Sequence, residues 1–258
     1  MLQQARIHRI RTLLGTQGAV STDRLVQELG VSRETVRRDL QALEAEGALR
    51  RVHGGGVGVE ESGREAPLAV RQATRAREKK AIARAAARLL RPGQTLLVDA
   101  GTTTALLAQE LAGLSGLTIV TNGLEVARHL TRDDKSRRAN EVILLGGQLL
   151  TEVPATCGAQ TVAEIQRYRA DVALLSPVGI CAEQGASSFE RPEAEVARAM
   201  VAAARRCIVL ADHSKIGQRS RIAYAPIGSV HTLVTDARAR QRAGMAALMA
   251  SSCEVVFA

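Results

Sequence analysis

The chain has 258 residues, 46% of them hydrophobic but only 2% aromatic, with a net charge of +9 and a pI near 10.2. That length allows a large domain plus a small one with a Leu, Val, Ile and Ala core, its positive charge suits a polyanionic partner, and so few aromatic rings argue against single-strand binding by base stacking. No apolar run reaches the ~18 residues of a membrane span, arginines interrupt the N-terminus where a secretory core would lie, and Cys157, Cys181, Cys207 and Cys253 form no C-x-x-C pair, so we expect a cytoplasmic protein with reduced thiols, no membrane partner, no metal and no cofactor.

In chain order, the first pattern is VSTDRLVQELGVSRETVRRDLQALEAEGALRRVHGGG, residues 20–56. Ser21 can cap a short helix with Asp23 in its first turn, and Leu25, Val26 and Leu29 form its buried side. Gly30 permits a tight turn. Ser32 can cap a second helix, Glu34 suits its positive end, and Val36, Leu40 and Leu43 are spaced to face inward. Arg33, Arg37, Arg38 and Gln41 are left on another face, with Thr35 in the first turn. The result is a helix-turn-helix whose second helix is dimensioned for the major groove, where Arg reaches guanine edges and phosphates. Gly47 ends that helix, and LRRVHGGG reads as a hairpin wing offering Arg50, Arg51 and His53. Any one of these arginines alone reads as part of a solvated helix face; the constellation points to double-stranded operator DNA.

Gly, Glu and Ser dominate from Gly54 to Gly63, a turn and linker. RQATRAREKKAIARAAARLLR, residues 71–91, follows as a basic helix with Glu78 its only acid and Ile82, Leu89 and Leu90 on its buried side. A solvated basic face is favoured there over direct DNA contact. The expected organisation is a DNA-binding domain over 1–57, a linker and connecting helix over 58–78, and an effector domain over 79–258.

Seven short apolar runs occupy the remainder: TLLV (95–98), LTIVT (117–121), EVILL (141–145), VALLS (172–176), CIVLA (207–211), HTLVT (231–235) and CEVVF (253–257). Continuous apolar runs suit strands buried on both faces. Helix-length stretches lie between them, such as Thr102–Leu111, Ala159–Tyr168, Pro192–Arg205 and Arg238–Ala250. The alternation specifies an α/β domain with a mostly parallel sheet, whose ligands gather at the carboxyl ends of the strands. After TLLV the chain reads Asp99-Ala-Gly-Thr-Thr-Thr104 and then turns helical. N–H groups and hydroxyls crowded at a helix start make an anion seat, although an Asp/Thr helix cap alone accounts for the same residues.

Both halves resemble one family, the DeoR-type bacterial transcriptional regulators. The resemblance rests on GVSRETVRRDLQALEAEGALRRVHGGG at the N-terminus and, further on, EKKAIARAAARLL, VDAGTTT, IVTNGLEVA, VILLGGQL, EAEVARAM and ADHSKIG, in family order over nearly the whole chain. It implies a winged helix-turn-helix joined to a sensor domain similar in fold to ribose 5-phosphate isomerase. Members commonly repress sugar or polyol catabolism and release DNA on binding a phosphorylated intermediate. By that resemblance Asp99, Gly101, Thr102, Thr103 and Thr104 form a phosphate cradle, with Thr121, Asn122, Gly146, Gly147 and Gly179 in ligand-facing loops. Lys215 takes a phosphate, Asp212 is a further effector contact, and Glu195 holds sugar hydroxyls. His213 reads rather as a loop histidine with a structural hydrogen bond. Where the family often has Gly-Ala-Asp-Gly-Ile, this chain has Ser176-Pro177-Val178-Gly179-Ile180. Val178 replaces the usual carboxylate, so the effector is expected to differ from the common one, a short polyol phosphate being one form.

The rival class is a sugar-phosphate isomerase. Isomerisation through an enediol requires a positioned base and acid; Glu195 is a candidate base, but SPVGI contributes no acid, which favours a binding pocket without turnover and no catalytic residues. An architectural DNA binder is a third reading, suggested by charge alone. A homodimer or higher homo-oligomer on repeated half-sites is the default for such readers, with effector coupling carried by the linker and the basic helix after it.

Overall fold

The computed structural model describes residues 2–17, 19–46, 48–52, 54–58, 68–132, 139–150 and 153–258. The chain forms two compact units, Met1–Thr74 and Arg75–Ala258. Gly47, His53 and residues 59–67 of the expected linker lie outside the described residues.

In the first unit, α1 (Gln3–Gln17) precedes β1 (Ala19–Ser21), α2 (Thr22–Leu29), α3 (Arg33–Ala45) and the hairpin of β2 (Leu49–Val52) with β3 (Gly55–Gly58). Each boundary has a local cause. Ser21 accepts the Arg24 amide at 3.2 Å, and Gly30 closes α2 in the left-handed region at φ 63°. Ser32 accepts the Thr35 amide at 3.2 Å. Leu25, Leu29, Val36, Leu40 and Leu43 bury against Ile10, Leu13 and Leu14 of α1 and Leu49 of the wing. β3 pairs antiparallel with both β1 and β2, so the wing is anchored to the chain ahead of α2. The periodicity did not disclose Asp39. This acid, 1% exposed, takes a two-pronged ion pair from Arg6 of α1, Nε to Oδ2 at 2.6 Å and Nη2 to Oδ1 at 3.1 Å.

α4 (Leu68–Ala73) closes the first unit and α5 (Ala76–Ala87) opens the second. The expected basic helix over 71–91 is thus broken at Thr74–Arg75, where Arg75 has φ 55°, the only positive φ among described residues other than glycine. The carboxyl end also ends short, with Ala87 the last helical residue. Ile82 and Leu90 are buried as expected, and so is Lys79, at 6% exposure.

All seven apolar runs are strands of one parallel sheet: β4 (Thr95–Val98), β5 (Thr118–Thr121), β6 (Glu141–Leu144), β9 (Ala170–Leu175), β12 (Ala204–Leu210), β14 (Thr232–Thr235) and β15 (Glu254–Phe257), in spatial order β15-β14-β12-β9-β4-β5-β6. Alternate side chains go to opposite faces. Leu96, Val98, Ile119, Leu174, Ile208 and Val234 meet α5, α6 (Thr102–Leu111) and α7 (Leu124–Leu130) on one side. Leu97, Val120, Leu175, Val209 and Leu233 meet α8 (Ala159–Ile165) and α9 (Arg191–Ala203) on the other. Double-sided burial is why the central runs are apolar without alternation, whereas the edge strands β6 and β15 are only partly covered.

On the α9 side lies a small antiparallel sheet, β10 (Gly179–Cys181), β11 (Gly185–Ser188) and β13 (Ile222–Ala225), and near the sheet edge a two-stranded ribbon, β7 (Gln148–Leu149) with β8 (Thr156–Cys157). Neither was expected. Three helices are also shorter than the pattern suggested, the expected 159–168 stretch ending at Ile165. The stretch 192–205 leaves helix after Ala203, because Ala204 and Arg206 join the ladder with Ala170 and Val172. Residues 238–250 split into a 3₁₀ turn (Ala237–Gln241), capped by Asp236, and α10 (Met245–Met249), separated at Gly244 with φ 91°. All four cysteines are free and buried. Burial raises the Cys207 thiol to about 12, aided by Asp99 and Cys253. No helix among the described residues is long and apolar enough to cross a membrane.

Candidate functional site

On α3, Ser32, Arg33, Arg37, Arg38 and Gln41 are exposed while Val36 and Leu40 are buried beneath them. Arg33 pairs with Asp23 of α2, and Arg38 lies 3.7 Å from Glu34. Both pairs are solvent-exposed and therefore weak. Arg37 has no carboxylate partner among the described residues. The Ser32 and Thr35 hydroxyls lie 2.9 Å apart at the start of α3, where the helix dipole favours an anion. Arg51 is exposed on the wing, its amide donating to Glu44 Oε1 at 2.9 Å. This is an exposed basic face on a three-helix and hairpin support.

In the second unit, parallel strands put all their carboxyl ends on one edge of the sheet. From β4 the chain steps outward through β5 to β6, then returns to β9 on the other side of β4 and steps outward again. The direction reverses between β4 and β9, and ligands of open α/β sheets bind in the crevice outside such a reversal. Asp99 and Ser176, just after these two strands, meet there: Asp99 Oδ2 accepts the Ser176 amide at 2.7 Å, and the Asp99 amide donates to Leu174 O at 3.1 Å. Gly101 fits closely against the same residue; a Cβ on it would stand 2.9 Å from Ser176 Cβ. α6 therefore starts at the crevice, with its first-turn N–H groups lacking intrahelical acceptors.

The three threonines differ. Thr102 is half-buried at the mouth of the helix and Thr103 is buried. The Thr104 hydroxyl, fully buried, accepts the Gly101 amide at 2.7 Å and lies 3.1 Å from Gly101 O, so it holds the loop in shape. Thr121 is similar: its hydroxyl donates to Val98 O at 2.7 Å and accepts the Gly123 amide at 3.0 Å. Asn122, 5% exposed, donates through Nδ2 to Thr156 O at 2.8 Å, while its buried Oδ1 has no donor among the described residues.

After β12, Asp212 caps a 3₁₀ turn (His213–Lys215), Oδ1 accepting the Ser214 amide at 3.0 Å and hydroxyl at 2.6 Å. Burial opposes the Asp212 charge, but the two Ser214 hydrogen bonds and the positive charges of Arg75 and Lys215 outweigh it, holding the carboxyl below its ordinary value. His213 donates its amide to Asp236 Oδ2 at 2.7 Å, and its Nδ1 lies 3.0 Å from Asp236 Oδ1, a structural tie between the ends of β12 and β14. Lys215 is half-buried with no ion-pair partner among the described residues. β12 lies two strand spacings from β4, about 10 Å, within the span of a small phosphorylated ligand.

Other expected residues sit elsewhere. Gly146 and Gly147 follow β6, four strand spacings or about 19 Å from β12, and pack against the start of α8. The Gly146 amide donates to Glu164 Oε2 at 2.9 Å, and Gly146 O accepts the Thr161 hydroxyl at 2.7 Å. Gly179 begins β10, where a Cβ would come within 2.6 Å of Gln218 O. Glu195 forms an exposed i,i+4 pair with Arg191 at 2.7 Å. Its neighbour Glu193 instead takes the Ser188 hydroxyl at 3.0 Å. Tyr224 was not anticipated. It is 4% exposed, its hydroxyl has no partner among the described residues, and burial, with Asp99, Cys207 and Glu193 nearby, pushes the phenol well above its ordinary range. One of only two tyrosines, in a strand with no clear pattern, it left no sequence signal.

A basic helix-turn-helix with a wing, followed by a parallel α/β unit with an anion-ready crevice at its switch point, defines a ligand-responsive transcription regulator. Residues 6–62 match the DeoR-like helix-turn-helix domain, and residues 74–237 match the DeoR C terminal sensor domain. The chain belongs to the DeoR family of transcriptional regulators. It is similar to the glycerol-3-phosphate regulon repressor of Escherichia coli strain K12, 35% identical over 92% of each chain. It is also similar to the transcriptional repressor AccR of Agrobacterium fabrum, 34% identical over 92% of this chain and 91% of the relative. Among solved structures, ribose 5-phosphate isomerase A from Methanocaldococcus jannaschii matches 53% of this chain and 52% of its own, at 14% identity and a TM-score of 0.38.

Proposed function

We propose that this regulator represses a carbohydrate or polyol catabolism operon and is relieved by a short phosphorylated polyol of the glycerol phosphate class. α3 enters the major groove, with Arg33, Arg37 and Arg38 reading or gripping the duplex and Ser32, Thr35, Arg50, Arg51 and His53 gripping phosphates. The effector phosphate sits at the start of α6, against the amides of Gly101, Thr102 and Thr103, with Lys215 supplying a compact positive charge. Asp99, Thr104, Thr121 and Asp212 shape the loops around it, and Asn122 Oδ1 accepts from a polyol hydroxyl. Gly146, Gly147, Gly179 and Glu195 line the outer loops. A DNA-binding domain of 1–57 and an effector domain of 79–258 flank a linker and connecting helix of 58–78, within which the boundary of the two compact units falls, and the protein acts as a cytoplasmic homodimer or higher homo-oligomer on repeated half-sites.

The observation that carries this reading is the start of α6 at the β4–β9 reversal against the acid-free loop Ser176–Ile180; Lys215, two strands away, supports it as a cation without an ion-pair partner among the described residues. A loop without a carboxylate has no charged acceptor there for the extra hydroxyls of a longer sugar, and the Escherichia coli relative is named for the glycerol-3-phosphate regulon. Absence of an acid there also supports binding without turnover. The test is fluorescence anisotropy with DNA from the protein's own upstream region, titrated against a panel of sugar and polyol phosphates. We expect a sequence-preferring complex that glycerol 3-phosphate weakens more than hexose phosphates do. Indifference to every phosphate offered would refute the sensor assignment, and aldose–ketose turnover at ordinary enzyme rates would replace it with an isomerase.

A further inference from the structure

Tyr224 is the extra residue of a β-bulge. On β13, Ala225 stands opposite Ala186 of β11 and Ala223 opposite Ser187, which leaves Tyr224 with no opposite residue. A bulge re-aims side chains. Tyr224 and Ala225 are both buried, although regular pleating would send them to opposite faces. The Ala223 carbonyl, at the bulge, accepts Nη2 of Arg198 on α9 at 2.7 Å. The Tyr224 ring joins the apolar cluster on the α9 side of the main sheet. Its hydroxyl has no hydrogen-bond partner among the described residues, although the residue is only 4% exposed. A buried hydroxyl left unpaired costs stability, so one that persists calls for a partner from elsewhere.

The small sheet brings this hydroxyl to the crevice. β10 follows directly from the loop at the end of β9, and the Val178 amide donates to Ser187 O at 3.0 Å. Ile180 of β10 bridges to Ile216, next to Lys215, and the Gly217 amide donates to Ile180 O at 2.8 Å. The small sheet is thus tied both to the Ser176 loop and to the Lys215 turn. Near the phenol stand Asp99, at the end of β4, and Glu193, in the first turn of α9 with the Ser188 hydroxyl on it at 3.0 Å. Burial, with Asp99, Cys207 and Glu193 nearby, keeps the phenol protonated, so it is available to donate.

We propose that Tyr224 sets effector specificity, its hydroxyl donating a hydrogen bond to a carbon-chain hydroxyl of the bound polyol phosphate. The inference rests on the proposed effector site and names the group that reads the end away from the phosphate. With the phosphate at the start of α6, the carbon chain passes Asp99 and a hydroxyl meets Tyr224. Asn122 Oδ1, also buried with no donor among the described residues, is the complementary acceptor. One buried donor and one buried acceptor match a hydroxylated chain. A bare alkyl chain leaves both unpaired and binds more weakly. The Ser176–Ile180 loop, without a carboxylate, leaves this task to other residues.

The test sets two ligands against two proteins, by calorimetric titration of the full chain. The ligands are glycerol 3-phosphate and propyl phosphate, which has the same carbon chain without hydroxyls; the proteins are wild type and Tyr224→Phe. Wild type should prefer glycerol 3-phosphate. Tyr224→Phe should bind it about 5- to 20-fold more weakly while its affinity for propyl phosphate changes by less than about twofold. Phenylalanine removes a hydroxyl that is unpaired without ligand, so the ligand-free melting temperature should equal or exceed that of wild type. Tyr224→Met serves if the phenylalanine variant does not fold. A second measurement leaves this position intact. The chain has no tryptophan and only one other tyrosine, Tyr168, so a Tyr168→Phe chain reports on Tyr224 alone. Its near-ultraviolet tyrosine absorption should shift with glycerol 3-phosphate and not with propyl phosphate. Tyr224→Phe affinity for glycerol 3-phosphate within about twofold of wild type, equal losses for both ligands, a lowered melting temperature or an unmoved tyrosine spectrum would each overturn the role of Tyr224 while the effector site stands. If the wild type binds neither phosphate, the underlying functional reading has failed.

Discussion

Replacing Gly147 with alanine tests whether this glycine serves packing or the ligand. Gly147 has φ 143°, and a Cβ there would lie 2.1 Å from Thr161 Oγ1 and 2.5 Å from Cys157 O. The threonine hydroxyl cannot yield without giving up its 2.7 Å bond to Gly146 O, which costs about 0.5–1.5 kcal/mol. Overpacking against the Cys157 carbonyl adds about 1–3 kcal/mol, and the backbone conformation roughly 1 more. The sum is about 4 kcal/mol, and at roughly 2–4 °C per kcal/mol for a unit of this size the melting temperature should fall by about 8–16 °C. Calorimetry on the full chain measures it, with Gly228→Ala as control, since a Cβ on Gly228 meets nothing within 4 Å. A melting temperature within about 2 °C of wild type would refute the steric reasoning. Weakened phosphate binding with an unchanged melt would instead put Gly147 against the ligand.

Arg37→Ala and Arg38→Ala, both on the exposed face of α3, should weaken operator binding without lowering the melting temperature. Gel-shift titration should give a loss of about 1–3 kcal/mol where the guanidinium meets a base edge, and a salt slope lower by about 1 where it meets a phosphate. Lys215→Gln should reduce glycerol 3-phosphate affinity by calorimetric titration roughly 10- to 100-fold, the worth of one charged hydrogen bond, with unchanged stability. Asp212 has its carboxyl held below the ordinary value, so its stabilisation is present above the unfolded value near 3.9 and is lost as pH falls through the folded one. Melting curves from pH 7 to 3 should therefore show a smaller acid-side decline for Asp212→Asn than for wild type.

Much of this architecture is determined by short-range chemistry, and to that extent it was readable in the sequence. Ser21, Gly30 and Ser32 act within three or four residues of themselves, so the helix-turn-helix follows from their order. The central apolar runs are unbroken because helices cover both faces of the sheet, and burial on both sides leaves that mark on composition. The position of Asp99-Ala-Gly-Thr at the end of a strand already placed those residues on the carboxyl edge of the sheet. Only the tertiary structure decided which strands are neighbours, and hence that the reversal falls between β4 and β9, bringing Asp99 to Ser176 across 77 positions of sequence. It also decided which hydroxyls of the threonine run face inward, that Glu193 rather than Glu195 turns toward Ser188, and that Asp39 needs Arg6. Arg75 is the clearest case. Local propensity calls for helix through it, yet its backbone is left-handed, with its guanidinium beside a buried carboxylate 137 positions away. Helix caps and periodicity are set by neighbours along the chain, whereas buried charges and strained backbone are set by neighbours in space, which no local pattern records.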